Sequence, residues 1–340
     1  MSKTYLAIQA IGAGKLKEAR LPVPEPGPEQ VRIRVEACGI CHTDAFTIEG
    51  GMPGLEYPRV PGHEVVGRIE ALGSGVREWT VGQRVGVGFL GGHCGVCKSC
   101  RRGDFVNCQR QLMSGAHYDG GYAEVMLAMA SGLVAIPDDL SAVEAAPLLC
   151  AGLTTFNGLR NSKARAGDLV AIQGVGGLGH LGVQFAHAMG FRVAAIARGA
   201  AKAQLATKLG ADLYIDATAT DPAAELQKLG GATVILATAA DSASQSALLG
   251  GLAPGGELVI AGAEGTAPLT VNGLTLIFGT RSVVGTLTGT PIDGEDTLAF
   301  SALRDIRAMV ETYPLAKADE AYHRMLSNQA RFRVVLVTGQ

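Results

Sequence analysis

The stretch Asp168-Leu169-Val170-Ala171-Ile172-Gln173-Gly174-Val175-Gly176-Gly177-Leu178-Gly179 narrows the folds open to this chain more than any other. A short apolar run of strand length feeds a turn with glycines at 174, 176, 177 and 179, and an amphipathic segment continues from Leu178 to Met189. Strand, tight turn and helix in that order make a phosphate-binding unit. Gly174 permits the sharp turn, Gly176 lets backbone amides approach a pyrophosphate that a side chain would exclude, and Gly179 allows the helix to pack closely on the strand. At the helix N-terminus, beside Gly177 and Leu178, free N–H groups and the positive dipole end face the phosphates. In a chain with 47 glycines the pattern says little alone; its place between a strand and a helix gives it meaning.

Alternating βα units surround this turn. Strands are expected at 168–174, 191–197, 212–216, 232–237, 256–261 and 281–286, with helical segments near 177–189, 200–209, 221–229 and 241–252. Right-handed crossovers between six such strands give a doubly wound parallel sheet of α/β type, a Rossmann domain over residues 151–289. Upstream, Pro22, Pro24, Pro26 and Pro28 rule out a helix across 21–30, because each fixes φ and removes a donor. Val31-Arg32-Ile33-Arg34-Val35-Glu36-Ala37 then alternates with period two, a half-buried strand. Glycine-punctuated strands at Val65–Leu72, Arg84–Phe89 and Tyr122–Leu127 indicate a small, mainly antiparallel β domain over 1–150. Past residue 290 the pattern predicts a helix over Asp296–Thr312 and a strand, Arg333–Val337, that returns 290–340 to the first domain.

The net charge of the 340-residue chain is −2, so no basic excess exists to neutralise a nucleic-acid backbone, and nucleic acid is not the expected partner. No apolar run approaches the ~20 residues of a membrane-spanning helix, and the N-terminus lacks the layout of a secretory signal; the expectation is a cytoplasmic protein with no membrane contact. Seven cysteines, an odd number, suit metal or catalytic use better than a disulfide framework.

Cys94, Cys97, Cys100 and Cys108 place four thiols in a lobe over 91–110. That spacing can close around one tetrahedral Zn²⁺ and staple a loop without its own core; an iron–sulfur cluster is the rival ligand. Of the other cysteines, Cys41 stands at a strand end and Cys150 where the β domain hands over to the nucleotide domain, while His63 lies in a Gly62-His63-Glu64 turn. Two thiolates and an imidazole are a catalytic zinc set with a fourth position open. Cys38 reads as a small buried apolar side chain.

Gly39-Ile40-Cys41-His42-Thr43-Asp44, Gly62-His63-Glu64, the four-cysteine lobe, Leu148-Leu149-Cys150-Ala151-Gly152-Leu153-Thr154 and the glycine turn together resemble the zinc-dependent medium-chain alcohol dehydrogenases over essentially the whole chain. The resemblance implies a GroES-like catalytic domain built from both chain ends around the Rossmann domain, and a homo-oligomer, dimer or tetramer, paired through the nucleotide domains. It implies two zincs per chain, the catalytic one on Cys41, His63 and Cys150 with Glu64 beside it. It further implies that Thr43 takes the alcohol proton, that Asp44 orients the ligating histidine, and that His42, Thr154 and Arg333 touch the cofactor. Where many members carry a histidine that passes the proton onward, this chain has Phe46, which cannot titrate, so His42 or water must serve. Phe89, Leu90 and Met52 fall where substrate walls are expected, and apolar walls suit primary aliphatic or aromatic alcohols and aldehydes.

An enzyme for NAD usually ends its second Rossmann strand on a carboxylate that binds the ribose. Here that position is Ala197, followed by Arg198, which can pair with a 2′-phosphate, and by Lys202. NADP(H) is therefore expected over NAD(H). Two rivals share parts of this pattern: a zinc-free quinone or enone reductase, which should lack the ligand cysteines, and a non-catalytic nucleotide sensor with a zinc-finger-like lobe, which should carry a basic stripe beyond Lys98, Arg101 and Arg102.

Overall fold

The computed structural model describes residues 4–52, 54–263, 265 and 267–339, which form two compact units, 1–153 with 288–340 and 154–287. In the first unit, β1 (Thr4–Ala10) and β2 (Leu16–Pro22) make an antiparallel hairpin, which the sequence pattern does not announce because proline begins where β2 ends. β3 (Gln30–Ile40), β4 (Glu64–Leu72), β5 (Arg84–Val87), β6 (Val125–Met129) and β7 (Leu133–Ala135) follow. β3 is the hub. It pairs antiparallel with β4 on one side, and its first half pairs with β6 on the other. Val31, Ile33 and Val35 face the core as their alternation dictates, while the intervening arginines do not. Beyond a register shift between Val35 and Ala37 the strand runs on to Ile40, and Ala37, Cys38, Gly39 and Ile40 are all buried.

The second unit is a six-stranded parallel sheet: β8 (Leu169–Gln173), β9 (Arg192–Ala197), β10 (Leu213–Asp216), β11 (Ala232–Ala237), β12 (Leu252–Ile260) and β13 (Ser282–Gly285). Their spatial order is β10-β9-β8-β11-β12-β13, and each expected strand is present within a few residues of its place. The order reverses between β8 and β11, and open α/β sheets bind ligands at the carboxyl ends of strands flanking such a reversal. Helices 179–188, 203–208, 222–228 and 242–248 make the crossovers. Asp221 caps the third by accepting from the Ala223 amide, with Pro222 in its first turn, and Asp241 caps the fourth through the Ser244 amide.

After the second unit the chain returns through a helix at Pro291–Leu303, β14 (Val310–Pro314), a helix at Ala318–Leu326 and β15 (Arg333–Val337). This corrects the expected helix over Asp296–Thr312. The helix starts earlier because Thr290 and Asp293 form a capping box with Pro291 in the first turn. It ends at Leu303, Asp305 adopts a left-handed φ of 52°, and Val310–Pro314 is a strand parallel to β15. β15 itself lies antiparallel to Ala37–Ile40, the last residues of β3.

Candidate active site

β3 ends at Ile40 and hands the chain to Cys41, after which a short helix begins at Asp44. His63 immediately precedes β4, and Cys150 follows a single-turn helix over 146–149. One ligand atom from each of Cys41, His63, Glu64 and Cys150 lies within 4.8 Å of all the others, and all four residues are buried. Tetrahedral zinc with Zn–S bonds of ~2.3 Å needs its sulfurs ~3.8 Å apart. Cys41 Sγ and Cys150 Sγ are 3.9 Å apart. His63 Nδ1 lies 2.9 Å from Asp44 Oδ1, and its Nε2 is buried without any hydrogen-bond partner. An ionised carboxylate can only accept, so Nδ1 donates to it, and Nε2 is the ring atom left to bind a metal ion once the imidazole is neutral. Such an orphan among two thiols is what a bound metal ion would satisfy, and the residues present fit zinc with three protein ligands and an open position.

The surrounding groups hold this set in place. Asp44, 2% exposed, accepts from His63, from the Cys41 amide at 2.9 Å and from the Tyr122 hydroxyl at 2.9 Å. Thr43 Oγ1 stands 3.7 Å from Cys41 Sγ. Glu64 Oε1 takes the buried Arg333 guanidinium, which also donates to the Ile40 carbonyl at 3.1 Å, while Glu64 Oε2 is unpartnered. That oxygen leaves no room for a side chain on β3: a Cβ at Gly39 would come within 1.9 Å of it. Burial pushes the Glu64 carboxyl up to about 7 although Arg333 pulls the other way. The hydrogen bond from Cys150 holds the Cys41 thiol well below its ordinary range despite burial, so Cys41 is the first of the pair to ionise.

Among the residues expected to wall a substrate, Phe89 packs edge-on against the His63 ring, centroids 5.2 Å apart. Leu90 is buried and bridges to Met113. Half-buried Met52 donates its amide to the Phe46 carbonyl at 3.2 Å. His42 and Phe46 are exposed on the turn and helix that follow Cys41. Tyr122, central to this geometry, carried no signal in the sequence beyond belonging to a strand-like segment, whereas Gly39 stood in the Gly39–Asp44 motif without its close approach to Glu64 being legible.

The four sulfurs of Cys94, Cys97, Cys100 and Cys108 also lie within 4.8 Å of one another, with Cys94 Sγ 4.0 Å from Cys100 Sγ. Backbone amides point at them: Cys97 donates to Cys94 Sγ, and Cys94 and Arg110 donate to Cys108 Sγ, each at 3.4 Å. The amides of Val96 and Cys97 lower the Cys94 thiol to about 6. The only regular element in this lobe is a single turn over Cys100–Arg102.

In the second unit Gly174 adopts φ +92°, and a Cβ at Gly179 would stand 1.7 Å from the Gly174 carbonyl oxygen, so turn and helix close on each other only with glycine at both. No atom lies within 4 Å of a Cβ position at Gly176, so that side of the turn is open. Gly177 and Leu178 lead into the helix, and Thr154 is buried in the preceding one, Ala151–Arg160. Lys202 Nζ reaches back to the Val175 carbonyl at 2.8 Å. Ala197 ends β9, and Arg198 beyond it is exposed. The carboxylate of Asp216, at the end of β10, accepts from the Gly199 amide at 2.8 Å and from the Thr218 amide and hydroxyl at 2.9 and 2.7 Å.

A Rossmann unit and a buried Cys/His/Cys set in one chain are the parts of a metal-dependent dehydrogenase. Residues 27–138 match the alcohol dehydrogenase GroES-like domain family and 177–302 the zinc-binding dehydrogenase family. The alcohol dehydrogenase notN of Aspergillus sp. (strain MF297-2) is 44% identical over 315 residues, 93% of this chain and 92% of its own length. Among solved structures, CAD from Helicobacter pylori complexed with NADP(H) superposes with a TM-score of 0.87 at 27% identity, covering 99% of each chain. Acetophenone reductase from Geotrichum candidum NBRC 4597, in complex with NAD, gives 0.86 at 26% identity over 99% of this chain and 98% of that one. The chain belongs to the zinc-dependent medium-chain alcohol dehydrogenases, oxidoreductases that act on alcohols with a nicotinamide nucleotide. Among its described residues no helix is long and apolar enough to cross a membrane.

Proposed function

We propose that this chain is an NADP(H)-dependent alcohol dehydrogenase and aldehyde reductase for primary aliphatic or aromatic substrates. In this reading one zinc sits on Cys41, His63 and Cys150, and a second on Cys94, Cys97, Cys100 and Cys108. The carrying observation is the partnerless, buried Nε2 of His63 among two thiols. Bound there, zinc supplies Lewis acidity at the substrate oxygen, and the nicotinamide supplies or accepts the hydride. Asp44 fixes the tautomer and direction of His63. Thr43 Oγ1, beside Cys41, takes the alcohol proton. Phe46 cannot carry that proton further, whereas His42, exposed on the same turn, can pass it to water. Phe89, Leu90 and Met52 offer no charge to a substrate, which favours neutral alcohols and aldehydes. Glu64 and Arg333 keep opposite charges paired behind the metal ligands, and Arg333, with His42 and Thr154, serves the cofactor.

Solved relatives hold either nucleotide, so the choice belongs to individual residues. Ala197 cannot accept from a ribose hydroxyl, and Asp216 already spends one oxygen on the Gly199 and Thr218 donors. Arg198 makes no hydrogen bond or ion pair with any described residue and is open to a 2′-phosphate; Lys202 adds charge beside the glycine turn. Hydrogen bonds to a charged partner contribute ~1.5–3 kcal/mol, so Arg198→Ala should raise the KM for NADPH roughly 10- to 100-fold. With an aromatic aldehyde as substrate, the KM for NADH should stay within about twofold. An unchanged NADPH/NADH ratio would assign the preference to other residues.

The same reading includes a homo-oligomer paired through the nucleotide unit. β13 is an edge of the parallel sheet, and the helix Gly273–Gly279 exposes Leu274 (60%), Ile277 (69%) and Phe278 (86%). An apolar patch beside an unpaired strand edge is costly to leave in water. Light scattering should find the native protein as a dimer or tetramer and Phe278→Glu shifted to smaller species; a native monomer would refute the pairing.

A further inference from the structure

The Tyr122 hydroxyl stands apart from the packing that surrounds it. Its ring is fully buried and fills the space where a side chain at Gly62 would sit. A phenylalanine would fill that space equally well without taking a polar atom out of water. The hydroxyl has one partner, Asp44 Oδ2, at 2.9 Å. Asp44 in turn gives its other oxygen to His63 Nδ1 and shares Oδ2 with the Cys41 amide. Tyr122 is tied to the histidine segment through its backbone as well: its amide donates to the Pro61 carbonyl and that of Gly121 to the Gly62 carbonyl, both at 3.0 Å. One residue therefore bonds, through its side chain, the carboxylate beside Cys41 and, through its main chain, the turn that carries His63.

We propose that Tyr122 is a positioning residue of the metal site, its hydroxyl locking the Asp44 carboxylate in the rotamer that aims His63 Nε2 at the metal. This rests on the assignment of Cys41, His63 and Cys150 as zinc ligands. With both carboxylate oxygens engaged, rotation of Asp44 about its last torsion breaks bonds at two oxygens at once. Without the phenol, Oδ2 keeps only the Cys41 amide, and the imidazole gains freedom to turn its lone pair away from the sulfurs. The effect falls on how long the metal stays, and on turnover only through that.

The test uses the zinc-loaded protein and a chromogenic chelator that reports each zinc as it leaves, with native protein, Tyr122→Phe, Asp44→Asn and the double variant side by side. Tyr122→Phe should release one zinc about tenfold faster than native, at the low end of the range for groups behind metal ligands. The zinc of the four-cysteine lobe should leave at the native rate, and the double variant should be no faster than Asp44→Asn alone. A native release rate in Tyr122→Phe, effects that multiply in the double variant, or both zincs leaving faster together would each overturn the proposal; the last would make Tyr122 merely structural. Cys41→Ser separates the underlying assignment: a variant that still holds two zincs per chain would remove the ligand set itself, and the role of Tyr122 with it.

Discussion

If the native protein holds the two zincs proposed above, Cys41→Ser should leave a folded chain with one, and should lower kcat/KM by about 10³- to 10⁴-fold, since Lewis-acid catalysis contributes several kcal/mol and each ~1.4 kcal/mol is a factor of ten. The substitution is nearly isosteric, so the loss is chemical. A serine hydroxyl does not ionise near neutral pH and is a poor zinc ligand, whereas the Cys41 thiol is already pulled down by the Cys150 hydrogen bond. The amide of residue 41 would still donate to Asp44, and Asp44 would still hold His63, so the pocket keeps its shape while losing one of three ligands. Zinc analysis, steady-state kinetics and a melting curve on one preparation decide the matter. Native turnover at one zinc per chain would place the chemistry elsewhere.

Cys97→Ala should act on stability instead. The lobe over 91–110 has one turn of helix, and Val96 within it is 64% exposed, so it has little core to fall back on. Its order depends on four sulfurs gathered within 4.8 Å and on amides that point at them. Structural zinc sites contribute on the order of 10 kcal/mol to folding. Losing even about 3 kcal/mol of that would lower the Tm by roughly 6–12 °C in a domain of this size. Turnover per correctly folded molecule should stay within about twofold of native at low temperature. An unchanged Tm would mean that the lobe needs no metal.

The two side-chain clusters and the glycine turn were legible because their members lie close in sequence or in motifs whose spacing reflects the chemistry directly. The six parallel strands were legible for a related reason, since each is a short apolar run bounded by glycine. What could not be read is how distant segments meet. Glu64 and Arg333 are 269 positions apart and Asp44 and Tyr122 are 78 apart, and nothing local to either pair marks the other. The helix expected over Asp296–Thr312 was misplaced for the opposite reason: its start is set by a local Thr290–Asp293 capping box, and apolar spacing alone ran past it into a strand that exists only because β15 is there to pair with it. Arg198 was legible only through what is missing beside it, a carboxylate at Ala197.

The pairing of β15 with the end of β3 fixes an order of events during synthesis. Cys41, His63 and Cys150 all leave the ribosome before the parallel sheet is made, yet the end of β3 that leads into Cys41 gains its neighbour opposite β4, and Glu64 its guanidinium, only when Arg333 arrives, 293 positions after Ile40. At ordinary elongation rates of ~5–20 residues per second, that leaves roughly 10–40 s between the last of these three residues and Arg333. Through that interval the nascent chain displays a nearly complete set of soft donors on an unfinished sheet, with the neighbouring carboxylate lacking its arginine. The native charge balance of the site thus waits on a residue made long after the donors, and a chain that stops before Arg333 carries the donors without it.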